Sequence, residues 1–482
     1  MIIMKKDIRV YGTRIEIEPY EEGENYKLEK MCSARYDYKT KTAEPLGYRI
    51  EDNKIIIPRG ISLAMLSQSY DDSIPTMMPA DDPAPMSGDY RVTVKPKDET
   101  QVKAISFLLG LNEFSNSARF PQLALNLDTG LGKTYCTVYA ILAFKTRTLI
   151  ILHQDSIREQ WINTFLEKTT MPSKKIHRII GMKGMNDAVR SRNKYDVHLI
   201  LHSTLCGYIK KYGPESLREW FKVMQFGLKV VDEAHLNFRQ TIDTDFCSNV
   251  TKSIYLTATM TRSSYTETGL FERFFANTMQ YGENVGVVKN VVYNLVYYNS
   301  NPTYTQQSRI YTYKGVSIIR WADYAFKYDR NKTIYIVFFK ILKEAMKHEG
   351  RIMVMIPKIE YCETIARFIR EEYPDYSVGT LHSKNTKEVN ERVKRFANII
   401  VTTIASSGTG TDIKFMRSII VMEPYASQVT ARQMSGRLRE YEPGAESYVY
   451  ELVDSGFEAI SNMVNKRIKP LKDKCKKVQI MK

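Results

Sequence analysis

The stretch Leu125–Thr134, LNLDTGLGKT, decides how this chain is read. Its apolar opening reads as a β-strand, Asp-Thr-Gly-Leu-Gly as a turn, and Lys133 onward as a helix. Gly130 and Gly132, with Thr129 in the same turn, let the backbone fold tightly and present its N–H groups. The helix start adds the positive end of its dipole, so the whole segment suits a phosphate. Lys133 is placed to reach the outer phosphates, and Thr134 to offer a hydroxyl to Mg²⁺. One position departs from the usual pattern: Leu127 stands where the first glycine is expected.

Downstream, LKVVDEAH (Leu228–His235) is an apolar strand ending in two carboxylates. Asp232 at the strand end suits the water shell of Mg²⁺, and Glu233 suits the activation of an attacking water. Around these segments, the apolar runs ALNL, RTLIIL, VHLIL, LKVVD and SIYLTA alternate with helical stretches. A second series, RIMVMI, SVGTLH, NIIVTT, SIIVME and SYVYELV, begins after about residue 320. Strands alternating with helices form parallel sheets covered on both faces. The expected fold is therefore α/β, with two parallel-sheet lobes in tandem. The expected divisions are a small α+β N-terminal domain and linker over 1–90, a first lobe over 91–290, a connector over 291–325, a second lobe over 326–465 and a basic tail over 466–482.

The 482 residues carry a net charge of +16. Residues 1–90 carry −4, so the remainder carries +20 of that total. A basic excess favours a polyanionic partner through counterion release. No apolar run approaches the roughly 20 residues needed to cross a bilayer, and the opening MIIMKKDIRV is charged too early for a signal peptide. Membrane association is not expected, and the expected compartment is the cytoplasm, that of the host if the chain is viral. The six cysteines show no CxxC spacing, which excludes a simple zinc module and points to reduced thiols.

With these segments in place, the chain resembles superfamily 2 helicases, and its motifs follow that family's order. The resemblance implies RecA-like lobes, ATP and Mg²⁺ as cofactors, and DNA-stimulated ATP hydrolysis. Gln101, in DETQVKAISFLL, resembles the glutamine that reads adenine. LIILHQDSIREQW (Leu149–Trp161) resembles a turn touching the nucleic-acid backbone, with His153 and Gln154 in place of the usual Pro-Thr. Ser203 and Thr204, in LHSTL, resemble a second backbone contact. LTATMTR (Leu256–Arg262) resembles the segment linking nucleotide state to lobe movement through Thr257 and Thr259. In the second series, His382 in GTLHSKN and Thr403 in IIVTTIASSGTGTDI resemble nucleic-acid contacts. Gly410 and Asp412 resemble residues near the nucleotide. In ARQMSGRLRE, the resemblance implies that Gln433 bonds toward the γ-phosphate and makes Arg437 the arginine-finger candidate. Arg439 lies two residues after Arg437, where the family places the second arginine three after.

Within that family, TATMTR, the DRN of FKYDRNKTI and SGTGTDI followed by QMSGRLRE resemble phage and large-DNA-virus helicases of the UvsW kind, relatives of RecG. That likeness implies a monomer acting on junctions, forks, D-loops or R-loops in DNA recombination, repair and replication. An RNA-directed helicase or transcript-release factor, and a translocase subunit without unwinding activity, are the competing readings. Arg9, Arg14, Arg35, Lys39, Lys41 and Arg59 are the cations through which the N-terminal domain would read a branch. Tyr293, Tyr297, Tyr298, Tyr304, Tyr311 and Tyr313 are either core residues or platforms for splayed bases.

Overall fold

A computed structural model describes residues 6–481 apart from 25–26, 29–31, 33, 38–41, 46, 71–72, 128–129, 258–264, 284–289, 314, 408–412, 414, 427–430, 432–433, 435–437, 439–443 and 473–474. The chain divides into two compact units, Met1–Asn284 and Val285–Lys482.

The first unit opens with β1 (Asp7–Val10), β2 (Arg14–Glu18), β3 (Ala34–Asp37), β4 (Thr42–Pro45), β5 (Arg49–Glu51), β6 (Lys54–Pro58) and β7 (Thr76–Met77). Five of these form a sheet in the order β5-β6-β2-β1-β7. The run Ile55-Ile56-Ile57 shows how that sheet is held. Alternate side chains point to opposite faces of a strand. Ile55 and Ile57 enter the small domain's own core with Ile8, Val10, Ile15 and Ile17. Ile56 instead joins the core of the large sheet that follows, beside Phe274 and Phe275.

That large sheet comprises β8 (Gln122–Leu127), β9 (Thr148–Leu152), β10 (Ile176–Arg178), β11 (Val197–Leu201), β12 (Leu228–Val231), β13 (Lys252–Thr257) and β14 (Met279–Glu283). Its seven strands run in the order β10-β11-β9-β12-β13-β8-β14, and every pairing is parallel. Both faces are covered, so the strands are apolar throughout instead of alternating. In β9, Leu149 and Ile151 face one layer, while Ile150 and Leu152 face the other.

Residues 1–90 are docked on this sheet within the first unit. Thr13 Oγ1 donates to the Asp245 carbonyl at 2.8 Å, and an Arg14 guanidinium N–H donates to the Ser248 carbonyl at 2.8 Å. Arg218 pairs with Glu51 at 2.6 Å, and Arg49 pairs with Asp243. The Pro- and Asp-rich stretch is strapped down as well. The Ala84 N–H donates to the Gln225 carbonyl, and the Met86 N–H to the Lys145 carbonyl, each at 2.9 Å. Of the candidate branch-reading cations, Arg14 is therefore buried. Arg9 pairs with Asp7 and Glu18, Arg59 is half-buried and Arg35 lies on β3. Lys39 and Lys41 lie outside the described residues.

The second unit contains β15 (Val291–Tyr298), the short ribbon β16 (Tyr311–Thr312) and β17 (Gly315–Val316), then β18 (Arg351–Met355), β19 (Val378–Leu381), β20 (Ile399–Thr402), β21 (Met416–Val421), β22 (Ser447–Asp454) and β23 (Lys477–Met481). Its seven-stranded sheet runs β19-β20-β18-β21-β22-β15-β23, again with parallel pairings. Two expected boundaries change. Residues 291–298 are a strand of this sheet rather than a connector, because VVYNLVYY is buried between β22 and β23. Residues 466–482 are not a solvated tail. Arg467 is buried against Glu451 and lies 3.6 Å from the Tyr425 ring centroid, and β23 closes the sheet edge. The basic residues were legible, but the apolar Leu471, Cys475, Val478 and Met481 that pack beneath them decide the fold there.

Docking of the N-terminal sheet is tight at Gly60, where an added Cβ would sit 1.9 Å from the Phe274 carbonyl oxygen. Gly60→Ala should lower the stability of the first unit by about 1–3 kcal/mol, the usual cost of overpacking, measured as a lower urea midpoint. An unchanged midpoint would show that the two sheets are not in contact there.

Candidate nucleotide site

The carboxyl ends of β8, β12 and β13 carry the three segments singled out in the sequence. Ligands of open parallel sheets bind outside such ends. Gly130 and Gly132 hold φ of 92° and 86°, values that favour glycine. Leu127 explains its departure from the pattern. It is still the last residue of β8, paired with Glu283, with its side chain buried in the core, so nothing there requires glycine.

Lys133, the first residue of the helix Lys133–Phe144, folds back over the turn. Its Nζ donates to the Leu127 carbonyl at 2.8 Å and lies 4.0 Å from Glu233 Oε1. Thr134 follows on the same first turn, half-buried. Gln101 reaches the turn from the helix Glu99–Leu109. Its Oε1 accepts from the Lys97 N–H at 2.8 Å, and its Nε2 donates to the Leu131 carbonyl at 3.2 Å. Gln101 is thus a brace for the phosphate turn.

Asp232 follows β12 and is buried. Its Oδ2 accepts from the Trp161 indole Nε1–H at 2.8 Å. Burial raises its carboxyl to about 6, with the Glu233 charge adding to the effect and the Trp161 bond and Lys133 opposing it. Glu233 holds φ of 47°, a left-handed conformation costing about 1–3 kcal/mol and met mostly at functional sites. Its Oε2 is 3.2 Å from His235 Nδ1, and that nitrogen is 3.0 Å from Thr257 Oγ1. His235 thus lies between Glu233 and the end of β13. His153 and His202 lie behind it. Burial, with the His235 charge, lowers His153 to about 4. Burial, with His153 and Lys229, lowers His202 to about 3. Both rings are neutral at neutral pH.

The donor set fits a nucleotide-bound divalent cation. Asp232 is buried beside the Glu233 carboxylate, and Thr134 follows the phosphate turn. Among the described residues no three His, Cys, Asp or Glu side chains gather as a metal site. Mg²⁺ held by one carboxylate, a hydroxyl, phosphate and water matches that ion's habit.

The candidate nucleic-acid residues divide. Gln154 is half-buried at the end of β9, and Ser203 and Thr204 open the helix His202–Tyr212 at the end of neighbouring β11. These three share one sheet edge. His382 is only 5% exposed, with its Nε2 3.2 Å from Glu363 Oε1. Thr403 is buried, its Oγ1 accepting the Ser406 N–H at 3.0 Å. Both side chains are engaged by neighbouring groups. Thr129, Thr259, Gly410, Asp412, Gln433, Arg437 and Arg439 lie outside the described residues. Among the tyrosines, Tyr293 and Tyr298 are core, Tyr297 and Tyr311 pack against it, and Tyr304 and Tyr313 are 85% and 93% exposed.

The family model described as "Type III restriction enzyme, res subunit" matches residues 95–262. The "Helicase conserved C-terminal domain" model matches residues 336–440. The chain belongs to the superfamily 2 helicases. A chloroplastic ATP-dependent DNA helicase of Arabidopsis thaliana is 28% identical over 118 residues, which is 22% of this chain and 14% of that relative. The matched part is thus a small fraction of the relative's length. Saccharomyces cerevisiae Dbp5, solved bound to RNA and ADP BeF3, matches with TM-score 0.53 at 12% identity over 80% of this chain and 89% of that one. The two sheets of this superfamily 2 chain are accordingly RecA-like lobes. T4 UvsW matches with TM-score 0.36 at 15% identity over 98% of this chain and 99% of its own. Among the described residues no helix is long and apolar enough to cross a membrane.

Sequence reading missed Trp161 as a site residue, although LIILHQDSIREQW ends on it. The available signal was an indole N–H, a group that needs an acceptor once buried. A pH titration tests the site's charge. A proton and a cation compete for Asp232, whose carboxyl titrates near 6. Mg²⁺-dependent nucleotide binding should weaken as pH falls through about 6, and Asp232→Asn should abolish that inflection. A pH profile for Asp232→Asn that matches the wild type would remove Asp232 from the cation.

Proposed function

We propose that this chain is an ATP-driven DNA translocase that unwinds or branch-migrates branched DNA. The observation that supports it most is the grouping of Lys133, Asp232 and Glu233 at the ends of parallel strands, with His235 and Thr257 alongside. Lys133 exchanges the Leu127 carbonyl for a phosphate oxygen. Thr134 and Asp232 hold Mg²⁺, which supplies charge neutralisation for the phosphates when bound. Glu233 orients the attacking water and takes its proton, with His235 beside its carboxylate. By the family resemblance, Gln433 is assigned to the γ-phosphate, Arg437 to the charge developing on the transferred group with Arg439 the second arginine of that motif, and Gly410 and Asp412 to the nucleotide. Gln154, Ser203 and Thr204 offer an amide, hydroxyls and a helix start, which grip a backbone without reading bases.

DNA as the partner is supported by the basic excess and by the DNA helicase among the relatives. Shape selectivity follows from backbone contacts, because they carry no sequence information. The likeness of TATMTR, SGTGTDI and QMSGRLRE to the UvsW kind supports branched DNA as the substrate.

ATP hydrolysis should be stimulated most by a four-way junction, less by plain duplex or single-stranded DNA, and least by RNA. The same preparation should convert the junction to its products only when ATP is supplied. Stimulation by RNA above all DNA forms would replace this reading with an RNA-directed helicase. Stimulation by DNA without strand separation would leave a translocase subunit.

A further inference from the structure

Asp232 has to satisfy two demands. Its carboxylate must be fixed in orientation, and it must keep its negative charge for a cation. A lysine or arginine partner would meet the first and defeat the second. The structure solves this with neutral donors: the Trp161 indole Nε1–H at 2.8 Å and the Glu233 backbone N–H. Trp161 is fully buried, one of the largest side chains in the chain to be so. It projects from the helix Ser156–Lys168, which follows β9, the strand hydrogen-bonded alongside β12. The indole has one donor and no acceptor, so it cannot pair with Asp232 by proton sharing, and its apolar body displaces water that would otherwise solvate Oδ2. Lys133 stays on the turn and on the Glu233 side.

We propose that Trp161 is a positioning residue for the cation-holding carboxylate of Asp232, an inference that rests on the nucleotide-hydrolysis reading above. The alternative role is purely structural, an indole that satisfies its own buried N–H. The two differ in what a donor-less ring does to Mg²⁺.

The test uses the full chain and a fluorescent ATP analogue titrated with Mg²⁺ at fixed pH. Trp161→Phe keeps an aromatic ring and loses the donor. The half-saturating Mg²⁺ should rise roughly tenfold, the size of one hydrogen bond to a charged group. Binding of the analogue without Mg²⁺ should be unchanged. In an Asp232→Asn background, Trp161→Phe should produce no further change. A half-saturating Mg²⁺ within twofold of wild type, with or without a lower melting temperature, would overturn the proposal and leave the structural role. If Trp161→Phe does not fold, benzothienylalanine at position 161 replaces only the N–H by sulfur and carries the same two outcomes. Lack of any Mg²⁺-dependent binding by the wild-type chain would overturn the nucleotide reading itself, whereas normal wild-type binding with an indifferent variant overturns only this inference.

Discussion

Two carboxylates and a lysine are held at the ends of buried parallel strands, and the rest of the first unit follows from keeping them there. Charges in such a place cost desolvation energy, which only close partners offset. Lys133 donates to the Leu127 carbonyl and Asp232 accepts from the Trp161 indole, while Glu233 lies between Lys133 Nζ at 4.0 Å and the imidazole of His235 at 3.2 Å. A positive φ at Glu233 is tolerated because the surrounding bonds determine it. The apolar strands are the counterpart of this arrangement. They must be covered on both faces, so their carboxyl ends remain as the place where polar groups converge.

The same logic reaches into the N-terminal sheet. Lys229 lies on β12, three residues before Asp232, and is fully buried with Asp245 and Ser248. Asp245 also accepts from Tyr255 of β13, and Gln122 of β8 donates to that tyrosine. Thr13 and Arg14 bond the backbone of this cluster from the N-terminal side. The strands that carry the phosphate turn, the carboxylates and Thr257 are therefore tied at their far ends to residues 1–90. Loss of one partner of a buried ion pair costs about 3–5 kcal/mol. The N-terminal sheet is thus a structural part of the first lobe, held to it by the Arg218–Glu51 and Arg49–Asp243 pairs.

Much of this was legible in the sequence because it depends on local pattern. Continuous apolar runs gave the parallel strands, and the glycines of the phosphate turn and the carboxylates ending LKVVDEAH gave the site. What was not legible depends on contacts distant in the chain. VVYNLVYY reads equally as a connector or as a strand until β22 and β23 flank it. The lysines of residues 466–482 read as a tail because charge is conspicuous, while the apolar residues beneath them are not. His382 and Thr403 keep their motif positions, but their side chains are taken up by Glu363 and Ser406. Spacing locates a motif; it does not say whether a side chain points to a ligand or back into its loop.

The central claim is that these groups hydrolyse ATP under the control of nucleic acid. The most direct measurement is steady-state ATP turnover with and without DNA, together with equilibrium ATP binding, for the wild-type chain and Glu233→Gln. The account predicts that DNA accelerates turnover in the wild type, and that Glu233→Gln binds ATP as well as the wild type yet does not turn it over. Glu233→Gln turning over ATP at the wild-type rate in the presence of DNA would contradict it.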